Sequence, residues 1–228
     1  MDTLIGMKLS VIIPVYNEAS TLAILLERVL AVPFEMEVLI VDDGSDEATK
    51  ALLKTAVSNN NNVRLLIHPQ NRGKGTAICT ALDHLTGDVV IIQDADLEYF
   101  PEDYAKLLDV YQLNNAQAVY GVRDLSGRSK LMRFGNEVMT FMTNFLFGSK
   151  LNDMETCYKL IDRQLMQSLQ LSSRGFEIEA EITSKLLNKQ IKIWEAPIQY
   201  EHREEGKKLT PWDGIPTLMT LLKFRFRR

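Results

Sequence analysis

Asp94 and Asp96 stand one residue apart in "QDADLEYFP", directly after the four aliphatic residues Val89 to Ile92. Two carboxylates about 4 Å apart repel by roughly 1 kcal/mol in water and by about 4 kcal/mol at an effective dielectric of 20. A half-buried pair therefore calls for a counter-charge. A divalent cation supplies it, and Mg²⁺ or Mn²⁺ takes one or two carboxylates together with water and phosphate oxygens. If the backbone stays extended, Asp94 and Asp96 share a face and Glu98 continues it. The competing interpretation is an exposed acidic turn with Asp94 capping a helix. Placement after a buried strand favours the metal.

Two further stretches carry chemistry. "VDDGSDE" ends another apolar run with Asp42 and Asp43, positions where carboxylates accept hydrogen bonds from ribose hydroxyls or a base N–H. Ser45, Asp46 and Glu47 suit a helix N-terminus instead. "NRGKGTA" resembles a phosphate loop, but that motif needs glycine at position 68, which is His68. Its glycines still permit backbone N–H groups to approach an anion, with Lys74 adding charge. A plain turn into a helix fits equally well.

Such residues need strands to hold them. "KLSVIIPV", "EVLIVDD", "NVRLLIHP", "GDVVIIQDAD" and "AQAVYGVR" are apolar nearly throughout and alternate with helical segments. That pattern predicts an α/β domain, a mostly parallel central sheet flanked by helices on both faces. Ligands of such sheets lie beyond the carboxyl ends of the strands. The residues there are Tyr16, Asn17 and Glu18; Asp42 and Asp43; His68 to Asn71; Asp94 and Asp96; and Arg123. After Arg123 come a polar loop, a long Met- and Phe-rich helix at 131–147, a short strand in "TCYKLI", a helix in "FEIEAEITSKLLNK" and an edge strand expected to break at Pro197. A final helix ends in "LMTLLKFRFRR". Glu177, Glu179 and Glu181 are expected on a solvated helix face.

Composition narrows the classes. The 228 residues are 46% hydrophobic and 25% charged, with a formal net charge of -4, so nothing attracts nucleic acid globally. Cys79 and Cys157 form no CxxC pair, which predicts a reducing compartment. No apolar run reaches the roughly 18 to 20 residues of a membrane span, and a cytoplasmic or peripheral protein is expected. Lys223, Arg225, Arg227 and Arg228, at about 1 kcal/mol each, would give roughly 4 kcal/mol of attraction to an anionic membrane surface. The 131–147 helix, with Met132, Phe134, Met139, Phe141, Phe145 and Phe147, is either a lipid contact or ordinary core or dimer packing.

Taken together, "SVIIPVYNE", "VDDGSDE", "NRGKGTA", "QDADLEYFP" and "GVR" resemble the family 2 inverting glycosyltransferases of the GT-A fold, over residues 8 to about 123. "NDMETCYKLI", "FEIEAEI" and "HREEGKKL" extend the likeness to the polyprenyl- and dolichyl-phosphate sugar synthases. The resemblance implies one domain with a nucleotide-sugar half at 8–123, an acceptor half at 124–210 and a basic amphipathic helix at 211–228. Pro14, Tyr16, Asn17, Glu18 and Asp43 would hold a UDP- or GDP-sugar, with Lys74 nearby, and Asp94, Asp96 and Glu98 would bind Mg²⁺ or Mn²⁺. Arg123 and Arg133 would grip a polyprenyl phosphate acceptor. Arg203, Lys207 and Lys208 match a loop that closes over the donor, although their spacing is shorter than in many relatives. The implied reaction displaces nucleoside diphosphate by a phosphate oxygen. A phosphate monoester, with a second pKa near 6, needs no general base. A hydroxyl acceptor would need one, and Asp153 or Glu177 are the candidates. A nucleotide-sugar-binding protein without turnover is the remaining alternative. A homo-oligomer is also compatible with the 131–147 helix, and a membrane-protein partner with the C-terminal helix.

Overall fold

The computed structural model describes residues 6–127, 130–202 and 214–226. Arg203, Lys207, Lys208, Arg227 and Arg228, named above, lie outside the described residues. Seven strands form one sheet: β1 (Leu9–Val15), β2 (Met36–Asp42), β3 (Val63–Ile67), β4 (Val89–Ile92), β5 (Ala118–Arg123), β6 (Lys159–Asp162) and β7 (Ile193–Ile198). Their order is β3-β2-β1-β4-β6-β5-β7. All neighbours pair in parallel except β6, which runs antiparallel to both β4 and β5. The sheet is therefore mostly parallel, as its apolar strands predict.

β2 and β4 are buried along their whole length, because helices cover both faces. From β1 the chain moves outward through β2 to β3, then crosses back to lay β4 on the other side of β1. Between β1 and β4 the connections diverge and leave a crevice at the carboxyl ends of the strands. The Asp94–Asp96 stretch emerges there.

The helices are α1 (Leu22–Ala31), α2 (Glu47–Asn59), α3 (Lys74–Leu82), α4 (Tyr104–Leu113), α5 (Lys130–Phe147), α6 (Arg163–Ser168), α7 (Ile178–Asn188) and α8 (Gly214–Phe226). Asp46 caps α2, its side chain accepting from the Thr49 N–H at 2.8 Å. Gly73 caps α3 at φ 95°. A Cβ on Gly73 or Gly75 would collide with the backbone carbonyl of Arg174 or Ser173. Those glycines let the 173–175 segment cross over the start of α3.

Two expectations change. β7 is an edge strand, but it runs unbroken through Pro197, which pairs with Val122. An edge strand pairs on one side only, so the missing N–H deprives no neighbour. In the 131–147 helix the side chains divide. Met139 and Phe147 pack with Leu151, Met154, Ala180 and Leu221 in a small core shared with α7 and α8. Phe134, Phe141 and Phe145 are 63, 65 and 74% exposed, which excludes their packing in the core of this chain. The buried positions of α5 are the polar Asn136, Thr140 and Thr143, while a stripe of phenylalanines faces outward.

At the opposite end of the sheet from the crevice, Glu37 is almost fully buried. Its carboxylate accepts from Ser10 Oγ, from the Thr86 and Gly87 N–H groups, from Thr86 Oγ1 and from Arg64. Burial alone would raise its pKa; the hydrogen bonds from Ser10, Thr86 and Gly87 outweigh it and hold the group at about 2. A pKa depressed from 4.5 to about 2 stabilises the fold above pH 4.5 by about 3 kcal/mol, and that stability is lost as pH falls toward 2. Glu37→Gln should therefore lower the unfolding free energy by about 3 kcal/mol at pH 7. In urea melts the two proteins should converge near pH 2, and a constant gap across pH would reject this assignment.

Candidate active site

The crevice opens into a cavity of about 530 Å³. Its walls come from Pro14 near the end of β1, Tyr16 and Glu18 after it, Asp43 after β2, Gly73 and Lys74 at the start of α3, and the 94–99 segment after β4. Arg123 at the end of β5, one face of α5, Glu179 of α7, His202 and the first turns of α8 complete it. Among the described lining residues seven carry carboxylates, at positions 18, 43, 94, 96, 98, 155 and 179, against Lys74 and Arg123.

Asp43 accepts from the Arg72 N–H at 3.0 Å, the Gly73 N–H at 2.8 Å and His68 Nδ1 at 2.6 Å. His68 Nε2 is 3.0 Å from Thr80 Oγ1, which fixes the ring from its other side. The "NRGKGTA" N–H groups of residues 72 and 73 thus serve an anion, but the anion is the protein's own Asp43.

Lys74 Nζ lies 2.7 Å from Asp94 Oδ1 and 3.2 Å from Glu179 Oε1. Glu179 Oε2 lies 2.7 Å from Nζ of the fully buried Lys159. Charges alternate along this row: Asp94, Lys74, Glu179, Lys159. Burial works to lower the Lys74 pKa, but Asp94 and Glu179 hold the ammonium well above its usual range. Among the described residues no cation pairs with Asp96: burial first, and the charges of Asp94 and Glu98 next, push its carboxyl up to about 7. The Glu98 carboxylate accepts from Tyr200 Oη at 2.5 Å and lies 3.3 Å from His202 Nδ1.

No group of three acidic, His or Cys side chains among the described residues is gathered for a metal ion. Glu98 is therefore not brought together with Asp94 and Asp96 into a three-carboxylate cage, because its head is held by Tyr200 and His202. The two aspartates remain suited to a divalent cation. The cavity has excess negative charge, Asp96 is strained toward protonation, and Mg²⁺ needs only one or two protein carboxylates when water and phosphate fill the rest.

Other sequence candidates fall outside the cavity lining. Asp42 is fully buried and accepts from the Ser45 N–H at 2.9 Å, closing the turn after β2. Asn17, at φ 53°, accepts from the Asp46 N–H through Oδ1 and donates its own N–H to Ser45 Oγ, so it braces two loops against each other. Arg133 is exposed on α5 and pairs with Glu137 at 2.8 Å. One helical turn orients it away from the face that Leu131, Met132 and Phe134 present to the cavity. Arg123 does line the cavity. Its guanidinium binds both oxygens of Asp153, at 2.7 and 2.8 Å, and Asn136 Oδ1 at 2.7 Å. Burial would raise the Asp153 pKa, but Arg123 outweighs it and holds the carboxyl below its ordinary value. Glu177 accepts from the Arg174 and Gly175 N–H groups.

Glu179 and Glu181 are buried, not solvated. The signal lies in "FEIEAEI": Ile178, Ala180 and Ile182 alternate with acids, and on a 3.6-residue period no polar face remains. A helix buried all round must pair its acids internally. Glu179 does so with the two lysines, and Glu181 with Lys185 and the Ser172 and Ser173 N–H groups.

Comparison with known proteins agrees with this architecture. A low-salt glycan biosynthesis hexosyltransferase of Haloferax volcanii is 28% identical over 212 residues, covering 89% of this chain and 50% of that protein. Polyprenol monophosphomannose synthase of Mycolicibacterium smegmatis is 27% identical over 209 residues, covering 86 and 78%. An undecaprenyl-phosphate 4-deoxy-4-formamido-L-arabinose transferase of Photorhabdus laumondii is 29% identical, covering 71 and 51%. The chain thus spans about half the length of two of these curated relatives. In three dimensions it resembles glucosyl-3-phosphoglycerate synthase from Mycobacterium tuberculosis, solved with Mn²⁺, UDP and phosphoglyceric acid. The TM-score is 0.76 at 19% identity, over 97% of this chain and 79% of that one, which establishes a common GT-A fold. Residues 10–169 match glycosyl transferase family 2, and the chain belongs to that family.

Proposed function

We propose that the protein transfers a hexose from a UDP- or GDP-sugar to a polyprenyl phosphate. One observation carries this reading: a single cavity joins an acidic floor at Asp94 and Asp96 to an apolar wall formed by Leu131, Met132 and Phe134 of α5. The floor suits a metal-bound diphosphate, and the wall suits hydrocarbon. The wall continues outside the cavity as the exposed Phe141 and Phe145. Relatives named for polyprenol and undecaprenyl phosphate support the acceptor class.

In this reading Pro14, Tyr16, Glu18 and Asp43 border the nucleotide. Asp94 and Asp96 hold Mg²⁺ or Mn²⁺, which when bound neutralises the leaving diphosphate. Lys74 adds a positive charge beside the same group. Arg123 orients the acceptor phosphate from within its pairing to Asp153 and Asn136. The phosphate acceptor is favoured over a hydroxyl because both candidate bases are occupied: Asp153 by Arg123, and Glu177 by two backbone N–H groups. A phosphate dianion supplies its own nucleophilic oxygen.

The α5 stripe also favours attachment to a membrane surface. No helix among the described residues is long and apolar enough to cross a bilayer. On α8, which packs against α5, Ile215, Met219, Leu222 and Phe226 are exposed on one stripe near Lys223 and Arg225. Apolar side chains flanked by basic ones suit the boundary between acyl chains and anionic headgroups.

Incubation with UDP- and GDP-sugars, Mg²⁺ or Mn²⁺ and a short polyprenyl phosphate should yield a glycolipid detectable by mass spectrometry. Asp96→Asn should lower turnover by about 100-fold or more with an unchanged circular dichroism spectrum, the scale of losing one electrostatic stabiliser. Equal turnover with a polyprenol lacking phosphate would reject the acceptor. Phe141→Ser combined with Phe145→Ser should weaken sedimentation with anionic vesicles several-fold while sparing turnover of a water-soluble acceptor. Unchanged sedimentation would remove α5 from the membrane contact.

A further inference from the structure

Lys74 occupies the carboxylate that the metal needs. Its Nζ stands 2.7 Å from Asp94 Oδ1, and only 11% of the side chain is exposed, so it cannot retire into water. A second seat lies beside it at Glu179 Oε1, 3.2 Å away. That seat is fixed, because the other oxygen of Glu179 is held by the buried Lys159. The backbone of Lys74 is fixed as well. It opens α3 directly after Gly73, whose N–H is bonded to Asp43 and which is pressed against the carbonyl of Arg174.

A divalent cation placed on Asp94 and Asp96 would adjoin this ammonium, and like charges so close in a half-buried cleft repel strongly. Asp94 is also partly neutralised already, which removes part of the attraction for a metal arriving alone. A nucleoside diphosphate changes both terms: its oxygens offer ligands to the metal and a new partner to Lys74, which then leans on Glu179 and the phosphate. We infer that Lys74 is a resident counter-cation that makes metal binding conditional on the donor diphosphate, so that the site fills with metal and nucleotide as a pair. This rests on the reading that Asp94 and Asp96 hold the metal. It adds a division of labour in which Glu179 and Lys159 keep the displaced lysine in place.

Free Mn²⁺ measured by electron paramagnetic resonance tests this without turnover. The wild-type chain should bind Mn²⁺ alone weakly, and at least tenfold more tightly with saturating UDP or GDP. Lys74→Gln should bind Mn²⁺ alone at least tenfold more tightly than wild type, and the nucleotide should then add less than threefold. Lys74→Arg should keep the wild-type pattern. Glu179→Gln, which removes the second seat, should weaken Mn²⁺ several-fold only when the nucleotide is present. A folded Lys74→Gln that binds Mn²⁺ alone no better than wild type overturns the inference. If Lys74→Gln does not fold, an unchanged nucleotide-dependent affinity in Glu179→Gln overturns it instead. Asp96→Asn separates the underlying reading: wild-type Mn²⁺ affinity with nucleotide in that variant removes Asp96 as a ligand, whatever Lys74 does.

Discussion

Carboxylates crowded at the carboxyl ends of β1, β2 and β4 are the constraint around which the site is organised. Five of them, with Glu155 and Glu179, line one cavity with Lys74 and Arg123 among the described residues. An unpaired buried charge is among the costliest features a fold can carry. The chain meets this acid by acid. Asp43 takes backbone N–H groups and His68, Asp94 takes Lys74, Glu179 takes two lysines, and Glu98 takes Tyr200 and His202. Asp96 is the one whose surroundings push it clearly toward protonation. The site's demand for a further positive charge is concentrated there.

Glu37 shows what a satisfied acid looks like in the same fold. It is as deeply buried as Glu179, yet Ser10, Thr86, Gly87 and Arg64 saturate it and its pKa falls to about 2. Asp96, half-buried, rises to about 7 because desolvation and the charges of Asp94 and Glu98 outweigh the single Glu98 N–H that it accepts and the nearby Lys74. Burial is common to both; the sign of the shift follows the partners. That contrast separates a saturated carboxylate at one end of the sheet from an under-compensated one at the other.

The sheet was legible because its strands are buried on both faces and so appear as unbroken aliphatic runs, and the position of Asp94 and Asp96 followed from "VVII". Less was legible where the deciding partner lies far along the chain. Nothing near Asp153 announces Arg123, 30 residues away, and nothing near Lys74 announces Glu179. Gly73 and Gly75 suggested an anion loop, whereas their lack of Cβ is demanded by the crossing 173–175 segment. Arg133 and Leu131 are two residues apart on one helix, so only one of them turns toward the cavity. Pro197 misled even though an edge strand was expected, because whether a proline interrupts such a strand depends on its register against the one neighbour, which local sequence does not show. α6, six residues long, is too short to display a period.

The inverted pattern of α5 connects the site to its surroundings. A helix that buries Asn136, Thr140 and Thr143 while exposing Phe134, Phe141 and Phe145 gains little from folding as an isolated unit. Its inward polar groups are used: Asn136 accepts from Arg123, and Thr140 Oγ1 accepts from the Met154 N–H. The inward polar groups thus steady the Arg123–Asp153 pair, while the phenylalanine stripe stays exposed. An acceptor with a phosphate head and a hydrocarbon tail would meet both faces of the same helix, the head toward Arg123 and the tail along the phenylalanine stripe. A sugar hydroxyl acceptor would use neither the stripe nor the apolar wall. The sidedness of α5 therefore favours an amphipathic acceptor independently of the acidic floor.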